Sequence, residues 1–589
     1  MRLLSRATWI LASCLLAAAP TVGATQDADA ALAAFFRQYL EEGFSKRPLD
    51  ATRLGEHRFD HLLDDLSPAA RRAWEEHTRR TLEKLPQAVA SAKLSPAARI
   101  DYEILRHELT KSLWLAENVH PFEDDPRVYN EYLSDSVYLL LAQSTLPAEQ
   151  NIRNAIARIK LLPQVCAAAR ASLKRPKRVA TETAIRQNRG TIAFYEREIL
   201  DFLGNSPQRD AVRAAAAPVI HCLREYQAFL EKELLPRADG DWRLGRDKFY
   251  RKLELELDAG LTADQVLAEA QSEFTRVLRD MYVIARQLWG RYYSDRQLPP
   301  DDETGRRQAI AEVLRAVGRE HGPPEMLTSD ARATVARITD FIRQRQILAL
   351  PEPDRCQVIE MPEFQRGNST AYLNAAPPLD TRAPSFYAVS PPPKDWDAQR
   401  VETLLQEYNR HMLQILTIHE AYPGHYVQLE YANRHPSLLR RVLGSGVYIE
   451  GWAVYTEQTM LDQGYGDGDL ALRLTQLKFY LRAVANAILD HRLHCTAITD
   501  DEALEFLTRQ AFQSEGEARL KIIRGKQTSC QLSTYFVGRM ALYRLRQAVQ
   551  REQGDAFRLD SFHEALLSQG AVPVKYLPAL VRQALGVPK

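Results

Sequence analysis

The segment "TIHEAYPGHYVQ" (417–428) is the clearest candidate for chemistry in this 589-residue chain. The metal-binding pattern H-E-x-x-H places two histidines four residues apart, on one face of a helix. Here His425 follows His419 by six residues, with Pro423 and Gly424 between them. In a regular helix, six residues would leave the two rings about 120° apart. The histidines could therefore share a metal ion only if the helix is interrupted.

Pro423 and Gly424 predict that interruption. Pro423 has no N–H to bond the carbonyl of His419, and its ring clashes with that carbonyl in a continuous helix. Gly424 tolerates backbone conformations that other residues avoid. We therefore expect a local bulge that turns the two imidazoles towards each other, and such helix defects are common at functional sites. The other His-Glu dipeptides, at 107–108 and 563–564, have no nearby downstream histidine.

The segment "YIEGWAVYTEQ" (448–458) offers a third ligand. Glu450 lies in an apolar helical stripe, where an ionised carboxylate is costly unless it is paired or bound to a metal. We predict that His419, His425 and Glu450 hold one zinc ion per chain, with the fourth position left to water. Glu457, two turns further on, is predicted to orient a ligating histidine. The choice of zinc rests on the ligand types.

Catalytic groups follow from this metal centre. Glu420, next to the first ligand, is expected to take a proton from the attacking water and pass it to the leaving amine. Tyr535, in "LSTYFVGR", could donate a hydrogen bond to the developing oxyanion. Arg482, His494 and Arg539 are candidate substrate contacts.

Each assignment has a structural alternative. His419 shares a stripe with apolar residues and could be a core histidine. Glu450 could be the buried partner of an arginine, and Tyr535 could be a core tyrosine. Arg482 and Arg539 belong to a residue type that forms salt bridges more often than substrate contacts.

The elements around these residues are predominantly helical, because apolar residues recur with helical spacing along most of the chain. "LSPAA" occurs twice, and each copy predicts a serine N-cap followed by proline at the first helical position, at Ser67 and Ser95. Thr262 is predicted to open a capping box on a helix that reaches Trp289. Further helical patterns cover 31–44, 147–174, 180–203, 208–234, 303–320, 328–348, 396–422, 436–443, 447–463, 468–494, 501–513, 528–552 and 560–569.

Residues 351–394 interrupt the helical pattern with dense proline and short strand-like runs. They predict a small antiparallel sheet near the active site, whose edge could bind an extended peptide. A proline-rich surface connection is the alternative. The expected fold class is mainly α, a large multi-helix metallopeptidase-like fold with this small sheet. We divide it into a helical region at 25–240 and a catalytic region at 241–589.

The N-terminus predicts export. A basic start, an apolar run and small residues indicate a signal peptide over residues 1–24, and hence a periplasmic or secreted protein. Lipid anchoring at Cys14 is less favoured because the apolar run continues past it. No later stretch has the 18 or so apolar residues needed to span a bilayer. The five remaining cysteines are more typical of buried apolar residues than of a disulfide framework, although one disulfide is compatible with export.

The charge composition indicates which classes of binding partner are expected. The net charge is +1 with 26% charged residues, which does not indicate a nucleic acid or an anionic membrane surface as partner. The motif chemistry indicates a peptide or small amide substrate. Nothing in the pattern specifies an oligomeric state.

Three motifs carry a family resemblance. "HEAYPGHYVQ", "EGWAVYTEQ" and "LSTYFVGRMALYRLRQ" resemble the bacterial family called domain of unknown function 885 (DUF885), with weaker similarity at 51–68 and 244–270. The resemblance implies a largely helical, often secreted zinc metallopeptidase of the gluzincin type. It assigns His419, His425 and Glu450 as ligands and Glu420 as catalytic, and it matches Tyr535 and Gly538 to a Y-x-x-G segment.

The chain departs from that family pattern at two places. Tyr426 stands where many members have a second histidine directly after the motif. "LDHRLH" (489–494) replaces an expected Asp-Thr-Gly-x-His, keeping Asp490 and His494 but placing Arg492 at the glycine. A catalytic role of the second histidine would be lost or altered at Tyr426. The substrate contacts expected from the helix that contains 489–494 are less certain to be kept.

The sequence thus predicts a secreted zinc-dependent hydrolase of peptide or related amide bonds. One alternative keeps the metal and acts as an amidase or esterase on a small non-peptide substrate. Another is a periplasmic binding protein with an inactive relic of the site, against which the intact Glu420 argues.

Overall fold

The computed structural model describes residues 22–361, 371–393 and 396–587. Most of the expected signal peptide, including Cys14, lies outside these residues. Within the described residues, none of the helices combines the length and apolarity that crossing a bilayer requires.

The first half of the chain is helical. Its helices are α1 Val22–Phe44, α2 Pro48–Leu54, α3 Pro68–Ala88, α4 Pro96–Asn118, α5 Pro121–Asp124, α6 Arg127–Ala142, α7 Ala148–Ile159, α8 Leu162–Ser172, α9 Arg178–Glu196, α10 Arg209–Phe229, α11 Arg246–Leu257, α12 Ala263–Tyr292, α13 Glu303–Gly318 and α14 Leu327–Arg345.

Three strands and the remaining helices follow. They are β1 Cys356–Glu360, β2 Ala371–Asn374, β3 Ser385–Val389, α15 Ala398–Glu407, α16 Arg410–Glu420, α17 His425–Asn433, α18 Leu438–Val442, α19 Gly446–Asp462, α20 Leu470–Cys495, α21 Asp500–Glu505, α22 Glu515–Gln527, α23 Thr534–Gln553, α24 Leu559–Leu567 and α25 Leu577–Ala584. Short π or 3₁₀ turns lie at Ser91–Lys93, Glu198–Leu203, Leu230–Leu234, Leu235–Arg237, Pro324–Met326, Phe506–Gln510, Gln531–Ser533, Gly554–Ala556 and Val574–Tyr576.

The predicted helix starts are confirmed. Ser67 and Ser95 each accept a hydrogen bond from the backbone three residues on, with proline at the first helical position. Thr262 and Gln265 form the predicted capping box of α12. The single helix expected over 396–422 is wrong, because Asn409 caps a new helix, α16, with its side chain.

The fold class is confirmed as mainly α with one small sheet, but the sheet is mixed. Its strand order is β1-β3-β2. β2 pairs antiparallel with β3, as expected, whereas β1 pairs parallel with β3, Val358 lying opposite Tyr387. The strand-like runs in the sequence predict strands but carry no information on the direction of pairing, which depends on how the connections fold back.

Buried hydrophobic side chains form two clusters. One combines residues from Ala28 to Leu109 with residues from Phe249 to Val581. The other contains Leu66 and residues from Tyr129 to Leu234. The first cluster surrounds α16, α17, α19 and α20, so the motif helices are fixed on their apolar sides. The division of the chain near residue 240 stays a prediction.

The cysteines differ from the sequence expectation at one pair. Cys166 in α8 and Cys222 in α10 form a disulfide within the second cluster. The expectation of an unbonded buried residue is therefore wrong for this pair. Cys530 is buried, and Cys356 and Cys495 are partly buried.

Candidate metal centre

The predicted break between the two histidines is confirmed. α16 ends at Glu420 and α17 begins at His425, with a turn containing a cis Tyr422–Pro423 bond between them. Gly424 is required here by close approach, because a Cβ atom at this position would collide with the carbonyl of His419. The turn redirects the chain so that the second histidine starts a new helix beside the end of the first.

α19 holds this turn in place. The indole N–H of Trp452 donates a hydrogen bond to the carbonyl of Pro423 at 2.8 Å. The Trp452 side chain is fully buried. This contact was not predicted, although Trp452 is part of the "EGWA" run that also supplies Glu450. The helix that carries the third candidate ligand therefore also fixes the turn between the first two.

The three candidate ligands converge. One ligand atom from each of His419, His425 and Glu450 lies within 4.8 Å of the others. Glu450 Oε2 is 3.5 Å from His425 Nε2 and 4.0 Å from His419 Nε2. Ligand atoms about 2.1 Å from a tetrahedral ion lie about 3.4 Å apart. The spacing of these atoms therefore fits a metal ion with a small inward shift of the side chains.

Glu457 supports the first histidine. Its Oε1 shares a hydrogen bond with His419 Nδ1 at 2.7 Å, and its side chain is fully buried. The bond fixes the ring so that Nε2 faces the other candidate ligands. A carboxylate on the far nitrogen of a metal-binding histidine has this role in known metal sites.

Burial sets the protonation of the His419–Glu457 pair. It lowers the pKa of His419 well below its usual value, an effect to which His425 and Arg482 add. It also raises the pKa of Glu457 well above its usual value. A neutral imidazole is the form that binds a metal. For His425, burial lowers the pKa, but the hydrogen bond and charge of Glu450 outweigh it and raise the pKa overall.

Glu420 lies between the candidate ligands and the sheet. Its Oε2 accepts a hydrogen bond from the backbone N–H of Leu373 in β2 at 3.0 Å. Burial, with the charge of Glu450 adding to it, raises the pKa of Glu420 to about 7. A carboxyl group with a pKa near neutrality can exchange a proton readily in either direction at neutral pH.

Two glycines bring Tyr535 to the same place. Gly451 in α19 and Gly538 in α23 are in backbone contact, and a Cβ atom at either would collide with the opposite helix. The crossing brings Tyr535, one turn before Gly538, close enough to Glu450 for that charge, after burial, to raise the tyrosine pKa. Tyr535 therefore stays protonated and can donate a hydrogen bond.

A cleft of ≈ 170 Å³ opens beside these groups. Its lining residues come from β2, from five helices around the centre and from the end of α15. They are Ala371, Tyr372, Tyr408, Leu416, His419, Glu420, Val454, Phe479, Arg482, Ala483, Asn486, Lys521, Arg524 and Tyr535. Three of the predicted site residues beyond the ligand set, Glu420, Arg482 and Tyr535, thus face one space with His419.

Arg482 both faces the cleft, as a substrate contact would, and forms a salt bridge. It lines the cleft, and its Nη1 donates to Glu517 Oε1 at 2.9 Å. Its guanidinium also lies over the ring of Phe479, 4.9 Å from the centroid. The salt bridge fixes the side chain at the edge of the cleft.

Two other predicted substrate contacts lie away from the cleft lining. His494 Nε2 bonds the carbonyl of Gly525 at 2.9 Å, and the ring stacks on Phe249. Arg539 points towards Glu273, at 3.4 Å, and packs between Tyr480 and Tyr543. Both are buried, and their contacts link α20 and α23 to neighbouring helices. A direct substrate contact by either stays a prediction and is not carried into the proposal below.

Tyr426, directly after His425, turns away from the centre. Its hydroxyl accepts a hydrogen bond from the backbone N–H of Arg355 at 2.7 Å, just before β1. Its ring packs against Tyr422. The residue therefore ties the start of α17 to the sheet.

Sequence reasoning missed the cleft residues that carry side-chain amide, ammonium or guanidinium groups, apart from Arg482. Asn486 is on α20, and Lys521 and Arg524 are on α22. The helical periodicity of the sequence did not predict α22, and its residues lie about 100 positions from the histidine motif. The signal available was the spacing of Lys521 and Arg524 by three residues, which places them on one helical face.

Comparison with known proteins supports the fold. The family model of DUF885, bacterial proteins of unknown function, matches residues 48–581. A solved structure of a candidate lipoprotein of unknown function from Shewanella oneidensis is 29% identical, with a TM-score of 0.79, and covers 93% of this chain and 99% of its own. One from Colwellia psychrerythraea is 19% identical, with a TM-score of 0.77, and covers 95% and 99%. No curated protein matches the chain.

Proposed function

The chain belongs to the DUF885 family of bacterial proteins of unknown function, and we propose that it is a zinc-dependent hydrolase of peptide or related amide bonds. The observation that carries the proposal is the convergence of His419, His425 and Glu450 beside Glu420. Two imidazoles, a ligating carboxylate and a separate carboxylate base are the groups that hydrolytic zinc sites use. We further propose that the site is of the gluzincin type.

The donor set suits zinc. Two nitrogen ligands and one carboxylate oxygen are a common catalytic combination for this ion. The Glu457 hydrogen bond holds Nε2 of His419 in the binding direction, and burial keeps that imidazole neutral. Zinc, when bound, would polarise the substrate carbonyl and lower the pKa of water at the site.

Glu420 is assigned as the base and then the acid. The Leu373 N–H holds its Oε2, so we assign proton transfer to Oε1. That oxygen would take the proton of the attacking water and give it to the leaving nitrogen. A pKa of about 7 matches both halves of this task, because neither protonation state is strongly disfavoured at neutral pH.

Tyr535 is assigned to the oxyanion. It lines the cleft with His419 and Glu420, and burial keeps its hydroxyl protonated. Its oxygen accepts hydrogen bonds from Arg524 at 3.2 Å and Gln531 at 3.3 Å. These two donors leave the phenolic proton available for the developing negative charge, where a fixed donor is most effective.

Peptide substrates are favoured by the sheet. β2 lies at one edge of the three described strands, and its residues Ala371 and Tyr372 line the cleft. An extended peptide can bind beside such a strand. The modest cleft volume of ≈ 170 Å³ favours short substrates, and it equally supports the second candidate, an amidase or esterase for a small molecule.

We also propose a location outside the cytoplasm. Two solved structures with the same fold are candidate lipoproteins, and Cys166 and Cys222 form a disulfide. Disulfides persist mainly in oxidising compartments. Lipid anchoring and simple secretion remain the two forms of this proposal, and mass spectrometry of the mature N-terminus from its native host separates them.

The test combines metal analysis with one substitution. We expect about one zinc per wild-type chain after zinc loading, and cleavage of a mixed library of peptides and small amides. Glu420→Gln should keep the zinc and the melting temperature but lower turnover by about 10²–10⁴-fold. Which library members are cut distinguishes the peptidase from the amidase or esterase.

Glu564→Gln is the matched control. It alters the exposed glutamate of another His-Glu dipeptide, outside the cleft lining, and should leave both metal and turnover unchanged. A wild type that retains no metal after loading would contradict the proposal and favour a binding protein.

A further inference from the structure

Lys521 is a buried basic residue at the cleft, without a salt bridge to any of the described residues. It lies on α22, is 8% exposed and lines the cleft beside Arg482 and Arg524. In the part of the chain that the structure describes, no carboxylate lies within 4 Å of its ammonium group and no acceptor hydrogen-bonds to it. Burial of an unpaired ammonium is expensive, so proteins rarely retain one without a use.

Neighbouring carboxylates form salt bridges with other cations and not with Lys521. The nearby Arg482 is bound to Glu517 at 2.9 Å, and Lys478 is bound to Glu407 at 2.7 Å. The charges of Glu517 and Glu450 also act on Lys521, but among the described residues neither carboxylate lies within 4 Å of its ammonium group. Burial and then the charges of Arg482 and Arg524 lower the pKa of Lys521 well below its usual value. A negative group in the cleft would relieve this repulsion.

We define the cationic wall as Arg482, Lys521 and Arg524. It brings three basic side chains to the cleft, whereas Glu420 is the one carboxyl-bearing residue among the described lining residues. The charge of a zinc ion would be balanced by Glu450 and Glu420, so the metal does not account for the wall. The amide of Asn486, 3% exposed and with an unpartnered side-chain oxygen, lies in the same lining and adds a polar group.

We propose that the cationic wall binds a carboxylate of the substrate on a residue close to the scissile bond, with Lys521 as the principal contact. This inference rests on the proposed function, because it names the substrate class of the same site. The cleft is small, so the carboxylate and the scissile bond must lie near one another. The carboxylate is either the C-terminus of a short peptide or an acidic side chain.

The two sources can be separated with matched peptides. One acetylated peptide carries a free C-terminus, a second carries a C-terminal amide, and a third carries the amide together with an aspartate next to the cleaved bond. We expect the zinc-loaded wild type to cleave a carboxylate-bearing peptide with a kcat/KM about 10- to 100-fold above that of the neutral amide. A preference for the first peptide identifies the C-terminus, and a preference for the third identifies the side chain.

Lys521→Met should abolish that preference. The control Arg519→Met removes an exposed cation from the same helix, outside the cleft lining, and should retain it. Lys521→Met should melt no lower than the wild type, because the substitution removes an unpaired buried charge. A preference that survives Lys521→Met, or a wild type that cleaves the neutral amide equally well, would overturn the inference.

A binding measurement distinguishes this inference from the proposed function. If no peptide is cleaved, the peptidase form of the proposed function has failed, and calorimetric titration of the same uncleaved peptides decides the inference. Tighter binding of a carboxylate peptide than of the neutral amide, lost in Lys521→Met and kept in Arg519→Met, would support it. Equal binding of the charged and neutral peptides would reject it.

Discussion

Gly451 and Gly538 are in backbone contact where α19 crosses α23. Each glycine belongs to a motif that carries a candidate catalytic side chain, Glu450 directly before Gly451 and Tyr535 one turn before Gly538. The absence of a Cβ atom on both sides lets the helices approach closely. The spacing between the third candidate ligand and the candidate oxyanion donor therefore depends on these two residues.

Gly451→Ala should destabilise the protein. The added methyl group would meet the backbone of Gly538, which cannot move without shifting α23. We expect a loss of about 1–3 kcal/mol in the free energy of unfolding, measured by urea denaturation. Gly446→Ala, in the first turn of the same helix, meets nothing within 4 Å and should be close to neutral. Equal effects of the two substitutions would show that the crossing is not tightly packed.

Glu457→Gln should weaken metal binding without removing a ligand. The amide would hold the His419 ring less strongly than the buried carboxylate does at 2.7 Å. Loss of such a supporting carboxylate typically lowers metal affinity by about 10–100-fold. Competition with a zinc chelator measures this, and Glu564→Gln is the control. An unchanged zinc affinity would mean that Glu457 has only a packing role.

Tyr535→Phe should lower kcat more than it raises KM. The phenol is proposed to act on charge that develops only in the transition state, so ground-state binding should change little. Removal of one oxyanion donor typically costs about 10²–10³-fold in kcat. Tyr543→Phe, two turns along the same helix and outside the cleft lining, serves as the control for steady-state kinetics. A loss confined to KM would instead assign Tyr535 to substrate binding.

Asp490→Asn should change the pH dependence of stability. Asp490 is fully buried, accepts hydrogen bonds from Cys530 N–H and the Ser533 hydroxyl, and has a pKa raised to about 7 by burial. An unfolded aspartate has a pKa of about 3.9. Between about pH 4 and 7 the folded state therefore binds the extra proton, and the free energy of unfolding falls as pH rises.

The substitution removes this titration. Relative to wild type, Asp490→Asn should gain stability between pH 5 and pH 8, on the order of 2 kcal/mol, in urea denaturation at each pH. The exposed Asp501→Asn serves as the control and should follow the wild-type profile. Parallel curves for Asp490→Asn and wild type would show that Asp490 is ionised across this range.

Local sequence patterns determined much of the fold and the centre of the site. The caps at Ser67, Ser95 and Thr262 depend on neighbours within three or four residues, and the structure has all three. The helix break at Pro423–Gly424 follows from a missing N–H and a missing Cβ. The convergence of His419, His425 and Glu450 was predicted from that break and from the cost of a carboxylate in an apolar stripe.

Tertiary structure alone decided which distant groups meet. The contact of Trp452 with Pro423, the parallel pairing of β1 with β3, and the disulfide between Cys166 and Cys222 join segments that no local pattern connects. The cationic wall depends on α22 packing beside α20, which the charge of Lys521 alone does not reveal. A residue's type and its near neighbours fix its local conformation, whereas the partner it faces is fixed by packing across the whole chain.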